Sequence, residues 1–358
     1  MTDDVTISIV IVNYNGRALL AACLPPVLAQ ATNLKAEVVV VDNGSSDGSA
    51  EYVEQAFPKV LVVGNRRNEG FAGGCNAGVR AARGEAIVLL NNDAVPEEGW
   101  LQDLVQALVP DDVAVACSVI QEERYPDAYA LGTGTISVIG HPVPSVLDDV
   151  EHPFYASGCS LAFKRGLFGE PFDPLFFAYY EDTVLSWRAH LRGYRVARAL
   201  GSRVHHIGSA TASRELGTAA FYWERNKLLA LLLCYERATL RRLLPLYVFD
   251  AVARVIEDIW LLARGRRAPH AVVARYVAAL RALGWLWGHA AAVRARRQAI
   301  QAERSVTDDA ITPLLSGKIF DDHVPTFGHS AANALALAYC RLARIPTAET
   351  GSPVTIAC

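Results

Sequence analysis

Short β-branched runs alternate with helical stretches through the first part of the chain. Val5–Val12 (VTISIVIV) has the pattern of a buried strand, and Glu37–Val41, Val60–Val63 and Ala86–Leu90 repeat it. Between them, Arg17–Leu24 carries apolar residues at helical spacing until Pro25-Pro26, which predicts an interruption there. Ser49–Phe57, Phe71–Ala82 and Glu97–Leu108 read as further helices. This alternation predicts βαβ units and a mostly parallel sheet. Ligands of such sheets bind beyond the carboxyl ends of the strands. Asn13, Asp42, Asn65–Gly74 and Asn91–Asp93 fall at those ends.

Further along, residues 113–175 read as short strands and loops. Tyr180–Leu191 reads as a helix, Tyr194–Ala197 and Arg203–His206 as two short strands, and Gly217–Tyr235 as a helix. Beyond about residue 238 the pattern is helical only, over Leu240–Ala263 and His270–Ala302. The expected organisation is an α/β nucleotide-binding domain over 1–236, a helical region over 237–345 and a loose tail over 346–358.

Composition narrows the class. Hydrophobic residues make up 52% of the 358 and charged residues 20%, which suits a globular chain with a sizeable core. The net charge of −3 hides an asymmetry. Residues 237–304 hold 13 arginines and no lysine against four acids, a net of +9, while 1–236 hold 18 bases against 28 acids. Basic charge confined to one late region is not a nucleic-acid profile. The seven cysteines are scattered and form no CxxC pair, so neither a disulfide framework nor a structural zinc is expected. The N-terminus shows no secretory signal, and no stretch reaches the ~18 apolar residues of a membrane span. A cytoplasmic protein, free or peripheral at the inner face of a membrane, is the expectation.

Five segments could carry chemistry, and each has a plain structural reading beside it. Asp42 at a strand end could accept the N3–H of a uracil or thymine, or serve the Asx turn that Asp47 and Ser46 also suit. Asn68–Gly78 (NEGFAGGCNAG) could bring a helix N-terminus to a diphosphate, or pack a helix closely on the sheet. Asn91-Asn92-Asp93 could hold a cation bridging a diphosphate, or be an ordinary turn. Glu181-Asp182 could supply a general base, or complement a helix dipole. His205 and His206, facing opposite ways along a strand, offer at most one ligand to the same cation.

The order of these segments is more specific than any one of them. From IVIVNYNG (9–16) through VVDNGSSDG (40–48), NEGFAGGCN (68–76), LLNND (89–93) and YED (180–182) to His206, the chain closely resembles family 2 glycosyltransferases of the GT-A fold, particularly the rhamnosyltransferase-like branch. The resemblance covers roughly residues 5–236. It implies inverting transfer of a sugar from a nucleoside-diphosphate donor to a glycan or lipid-linked hydroxyl in cell-surface polysaccharide synthesis. By motif, Asn13 and Tyr14 would line the base and Asp42 would accept from it. Asn68, Gly74 and Asn92 would sit near the sugar or phosphates. Asp93 and His206 would bind Mg²⁺ or Mn²⁺, and Asp182 would be the base with Glu181 beside it. Ser157 and Gly158 match a segment that borders the acceptor, and Trp223 and Arg225 match a Tyr/Trp-x-Arg-Asn signature. The first acid of the usual DxD is Asn91 here, which weakens the expected hold on the cation. The dTDP-rhamnose donor is the first expectation, with UDP-sugars open.

Two other classes fit the residues less well. A sugar-1-phosphate nucleotidyltransferase would need a Gly-rich basic loop after the first strand, where Asn13–Arg17 (NYNGR) stands. A non-catalytic sugar-nucleotide-binding module would have no use for both Asp93 and Asp182. For the arginine-rich helices, packing on the catalytic domain or a homodimer interface stands beside contact with an anionic membrane surface.

Overall fold

The computed structural model describes residues 7–122, 133–143, 153–207, 216–320 and 328–350. Residue contacts divide the chain into two units: Met1–Gly134, Ser145–Ala189 and Tyr194–Thr211 form the first, and Thr135–Pro144, His190–Gly193 and Ala212–Cys358 the second. The division falls before the 236/237 boundary expected from the sequence, because the helix at 216–234 groups with the helices after it rather than with the sheet.

The first unit is built on strands β1 (Ile7–Asn13), β2 (Glu37–Asp42), β3 (Leu61–Gly64), β4 (Ala86–Asn91), β5 (Ala94–Pro96) and β6 (Val113–Glu122), with β10 (Ser160–Lys164) and β11 (Arg195–His206) later in the chain. They form one sheet in the order β3-β2-β1-β4-β10-β6-β11-β5. The β1 strand pairs in parallel with β2 and β4, and β2 with β3; β10 runs antiparallel between β4 and β6. Helices α1 (Arg17–Asn33), α2 (Ser49–Ala56), α3 (Gly70–Ala81), α4 (Trp100–Gln106) and α5 (Glu181–Leu191) connect the strands. This is the mixed, mostly parallel, helix-flanked architecture expected.

Three local readings needed correction. Helix α1 continues to Asn33 through Pro25 and Pro26. The Ala21 and Ala22 carbonyls that lose their i+4 donors belong to exposed residues, within reach of water, while Leu20, Cys23, Leu24, Val27 and Ala31 anchor the opposite face in the core. Residues 113–122 form a ten-residue strand, buried from Val113 to Ile120, rather than a short one. The two short strands expected at 194–206 are one strand, β11, whose register shifts between Ala199 and Arg203. A bulge of this kind breaks the periodic pattern that a strand shows in sequence.

Small strands β7 (Thr133–Ile136), β8 (Pro142–Val143) and β9 (Tyr155–Ala156) make a separate sheet. The second unit is mainly α6 (Leu216–Cys234), α7 (Arg237–Ala263), α8 (Pro269–Gly288), α9 (Ala290–Ala302), α10 (Asp308–Ile311) and α11 (His329–Leu342). The helix expected over 270–302 is thus two, parted at Gly288 and His289. The expected loose tail is anchored in its first part: Thr347 is buried, and Glu349 accepts hydrogen bonds from Ser316 Oγ (2.5 Å) and the Gly317 amide (2.9 Å). Residues 351–358 lie outside the described residues.

Candidate active site

The carboxyl ends of β1, β2 and β4 meet at a network of asparagines. Parallel pairing puts Asn13 opposite Asp42 and Val12 opposite Asn91. The fully buried Asn13 side chain joins two loops: it donates to Ser45 Oγ (3.4 Å) and accepts from Asn92 Nδ2 (2.8 Å). Asp42 accepts from the Ser45 amide through Oδ2 (3.1 Å), while its buried Oδ1 has no hydrogen-bond partner among the described residues. The Asp42 carboxylate therefore both closes the turn to Ser45 and keeps one acceptor in reserve. Tyr14, next to Asn13, is 38% exposed. An open groove of about 450 Å³ beside the Ser45-Ser46 turn is lined by none of the candidate site residues.

Asn43 holds this region together, and the sequence reading did not single it out. Its Nδ2 donates to Asn68 Oδ1 (3.1 Å) and the Gly70 carbonyl (2.9 Å); its Oδ1 accepts from Asn65 Nδ2 (2.9 Å) and the Glu69 amide (3.1 Å). Asn68 Oδ1 also accepts from the Gly70 amide. The signal available in sequence was three asparagines at strand ends, which only the fold brings together. Gly44 (φ +79°) and Gly70 (φ +75°) occupy left-handed backbone where a Cβ would also strike neighbours, Arg67 backbone at 2.8 Å and the Phe177 carbonyl at 2.1 Å. The Cβ direction of Gly74 faces Val12 (2.6 Å) and Asn43, and that of Gly78 faces Val10 (2.3 Å). These glycines bring α3 close against the sheet.

A second cluster forms where β4 leads into β5. Antiparallel pairing of β5 with β11 sets His206 opposite Ala94, and the Ile207 amide donates to the Asp93 carbonyl (3.0 Å). His206 Nε2 lies 3.2 Å from Asp93 Oδ1, and its Nδ1 lies 3.7 Å from Glu122 Oε1. Neither contact is an aligned hydrogen bond, so both Asp93 Oδ1 and His206 Nδ1 remain buried without one among the described residues. Burial opposes the His206 cation; Asp93, Cys159 and Glu122 outweigh burial and raise the imidazole pKa. Negative potential at this point favours a positive species. His205 points the other way, to Glu97 (2.7 Å), as strand alternation requires. Glu122 was not foreseen, since it enters the cluster only because β6 lies beside β11.

The third group is Glu181-Asp182 at the start of α5. Asp182 Oδ2 accepts from the Gly158 amide (2.8 Å), and Oδ1 from the Thr183 amide (2.6 Å) and hydroxyl (3.3 Å). Glu181 Oε2 is buried without a hydrogen-bond partner among the described residues. Burial pushes the Glu181 carboxyl well above the usual range, and the Asp182 charge pushes the same way. Burial also raises Asp182, against the pull of its hydrogen bonds. Burial thus raises both carboxyls, and the hydrogen bonds to Asp182 offset part of that rise by favouring its anion.

Ser157-Gly158-Cys159 ties the groups together. Gly158 binds Asp182, the Asn91 amide donates to the Cys159 carbonyl (2.9 Å), and the Cys159 amide donates to Ser157 Oγ (3.3 Å). Trp223 and Arg225 belong to the second unit. There Arg225, buried, lies over the rings of Phe221, Tyr222 and Trp285 at 5.4, 4.8 and 4.5 Å and donates to Asn226 Oδ1, while Trp223 is 41% exposed.

The family model Glycosyl transferase family 2 matches residues 8–168. An uncharacterized glycosyltransferase of Nostoc sp. is 38% identical over 111 residues, 30% of this chain and 34% of that protein. An undecaprenyl-phosphate 4-deoxy-4-formamido-L-arabinose transferase of Aeromonas hydrophila is 36% identical over 112 residues, again 30% of this chain and 34% of that protein. The chain thus spans about a third of the length of these curated relatives. Among solved structures, GalNAc-T7 with UDP, GalNAc and Mn²⁺ aligns at a TM-score of 0.54 and 20% identity, covering 66% of this chain and 49% of that one. That likeness shows a shared GT-A-like fold.

Proposed function

We propose that the protein is an inverting glycosyltransferase that moves a sugar from a nucleoside-diphosphate sugar to an acceptor hydroxyl, with Asp182 as the base. The observation that carries this reading is the asymmetry of the carboxyl pair: two backbone amides, of Gly158 and Thr183, orient Asp182 and favour its anion, while Glu181 Oε2 has no hydrogen-bond partner among the described residues. A raised carboxylate in that setting is suited to take a proton from a hydroxyl as it attacks the anomeric carbon.

At the donor end, the reserved Asp42 Oδ1 would accept the N3–H of a uracil or thymine, with Tyr14 beside the ring. Asn13, Asn68 and Gly74 act through others: Asn13 sets the Ser45 and Asn92 loops, Asn68 the Asn43 network, and Gly74 the approach of α3. Asp93 Oδ1 and His206 Nε2 fit a divalent cation, a hard oxygen and an imidazole nitrogen close together in negative potential. The cation, when bound, supplies charge that stabilises the leaving diphosphate. Among the described residues no three His, Cys, Asp or Glu side chains stand ready as a cage, so tight binding would draw on the diphosphate itself. The acceptor is a glycan or lipid-linked glycan, and dTDP-rhamnose is the first donor to try, on the resemblance of the motifs.

A panel of dTDP-, UDP- and GDP-sugars with Mg²⁺ or Mn²⁺, read as nucleoside-diphosphate release and thermal stabilisation, tests the reading. One donor should give release that chelation abolishes. Asp93→Ala should remove the metal dependence of nucleotide affinity. Release by no donor, with no stabilisation, would overturn the proposal.

A further inference from the structure

Helix α7 carries its acids inward and an aliphatic stripe outward. Asp250, Glu257, Asp258 and Arg254 turn toward the protein beside the buried Leu243, Leu246 and Leu261, and six other aliphatic side chains turn away. Asp250 pairs with His141 (2.9 Å) and Arg254 (2.9 Å), Glu257 with His329 (3.1 Å), and Asp258 with Arg267, Arg275 and the Tyr276 hydroxyl. Leu244, Val248, Val252, Val255, Ile256 and Ile259 form a stripe on the other side, each between 40% and 61% exposed. That stripe runs for about 22 Å at 1.5 Å per residue. Helix α8 repeats the arrangement. Ala278 and Ala282 are buried, while Val273, Val277, Leu280 and Trp287 stand out on the opposite side, Trp287 at 87%.

An outward aliphatic stripe needs an apolar occupant, and the charges around it say which. Only four acids lie in 237–304, and all are engaged: the three above and Glu303, which pairs with Arg192. No carboxylate remains to face outward. Arginines do: Arg241 is exposed at the start of α7, and Arg264 and Arg266 at its end, both over the Trp260 ring at 4.2 and 5.9 Å. A second copy laid along this face, parallel or antiparallel, would set arginine against arginine with no acid between. An anionic lipid surface meets both demands. No helix among the described residues is long and apolar enough to cross a bilayer, so this one would lie along it.

We infer that the outward faces of α7 and α8 dock the protein on an anionic bilayer, aliphatic and tryptophan side chains entering the headgroup boundary and Arg241, Arg264 and Arg266 meeting lipid phosphates. The full chain is floated with phosphatidylcholine vesicles, with or without phosphatidylglycerol. It should co-migrate with the anionic vesicles at low salt and stay behind with the neutral ones. Arg264→Ala with Arg266→Ala should weaken partitioning about thirtyfold, at ~1 kcal/mol per arginine. Ile256→Glu with Ile259→Glu should abolish it, with unchanged circular dichroism and nucleotide binding. Wild-type protein that does not float at low salt, or stripe variants that float like wild type, would overturn the inference. So would a wild-type dimer in sedimentation equilibrium that Ile256→Glu dissociates.

Discussion

Two adjacent carboxyls, Glu181 and Asp182, differ in their donors: the Gly158 and Thr183 amides reach Asp182, while Glu181 Oε2 has no hydrogen-bond partner among the described residues. Asp182→Asn keeps the shape and removes the proposed base; transfer should fall by about a hundredfold to ten-thousandfold while nucleotide affinity by calorimetry stays near wild type. An unchanged rate would remove Asp182 from the mechanism. Glu181 makes a separate prediction about stability. Its ordinary pKa is 4.5 and folding raises it well above that. Below pH 4.5 it is protonated folded or unfolded, and the folded state loses nothing. As pH rises from there toward the raised value, only the unfolded chain releases the proton, so stability declines. Glu181→Gln does not titrate. It should melt higher than wild type at neutral pH, with the gap closing below about pH 4.5; a gap that does not change with pH would contradict a raised Glu181.

Among the elements, α3 and the turns around it show which part of a motif is packing and which is chemistry. The glycines of NEGFAGGCNAG suit a phosphate cradle and a close-packed helix equally on sequence. Their Cβ directions, toward Val12, Val10 and Val41, show packing at Gly74 and Gly78. Gly78→Ala should cost about 1–3 kcal/mol by denaturant midpoint, because Val10 and Val41 are backed by the sheet and cannot yield freely. A neutral result would mean that α3 can lift. Most strands and helices of the first unit were legible because their hydrophobic periods are local. The continuity of α1 through two prolines and of β11 through a bulge was not, since each depends on what packs against it.

For the whole molecule, two units place different demands on one chain. The scattered cysteines read from sequence as reduced thiols, and all six described ones are free and buried. Burial pushes Cys23 and Cys117 up to about 12. Native protein should therefore alkylate slowly at these thiols and fast once unfolded, as mass spectrometry of each peptide would show. Rapid modification of Cys23 or Cys117 in native protein would mean that the sheet opens readily. The same scale explains the arginine count: a net of +9 over 237–304 says that the segment is basic, and only the fold shows its acids consumed in ion pairs while Arg241, Arg264 and Arg266 stay exposed.

The amino-acid sequence by itself determined the strand–helix alternation, the strand ends at which Asn13, Asp42 and Asn91 fall, and the ordered motifs, Asp42, Asp93, Asp182 and His206 among them, by which the chain resembles family 2 glycosyltransferases. Those features are short-range, and a period or a spacing records them. Tertiary structure alone decided that Asn43 is the hub of its loops, that Glu122 joins Asp93 and His206, that the Gly158 and Thr183 amides go to Asp182, and that α7 turns an aliphatic stripe outward. Each of these depends on partners far away in sequence. Burial and hydrogen-bond geometry, which set their energies, exist only once the chain has closed around them.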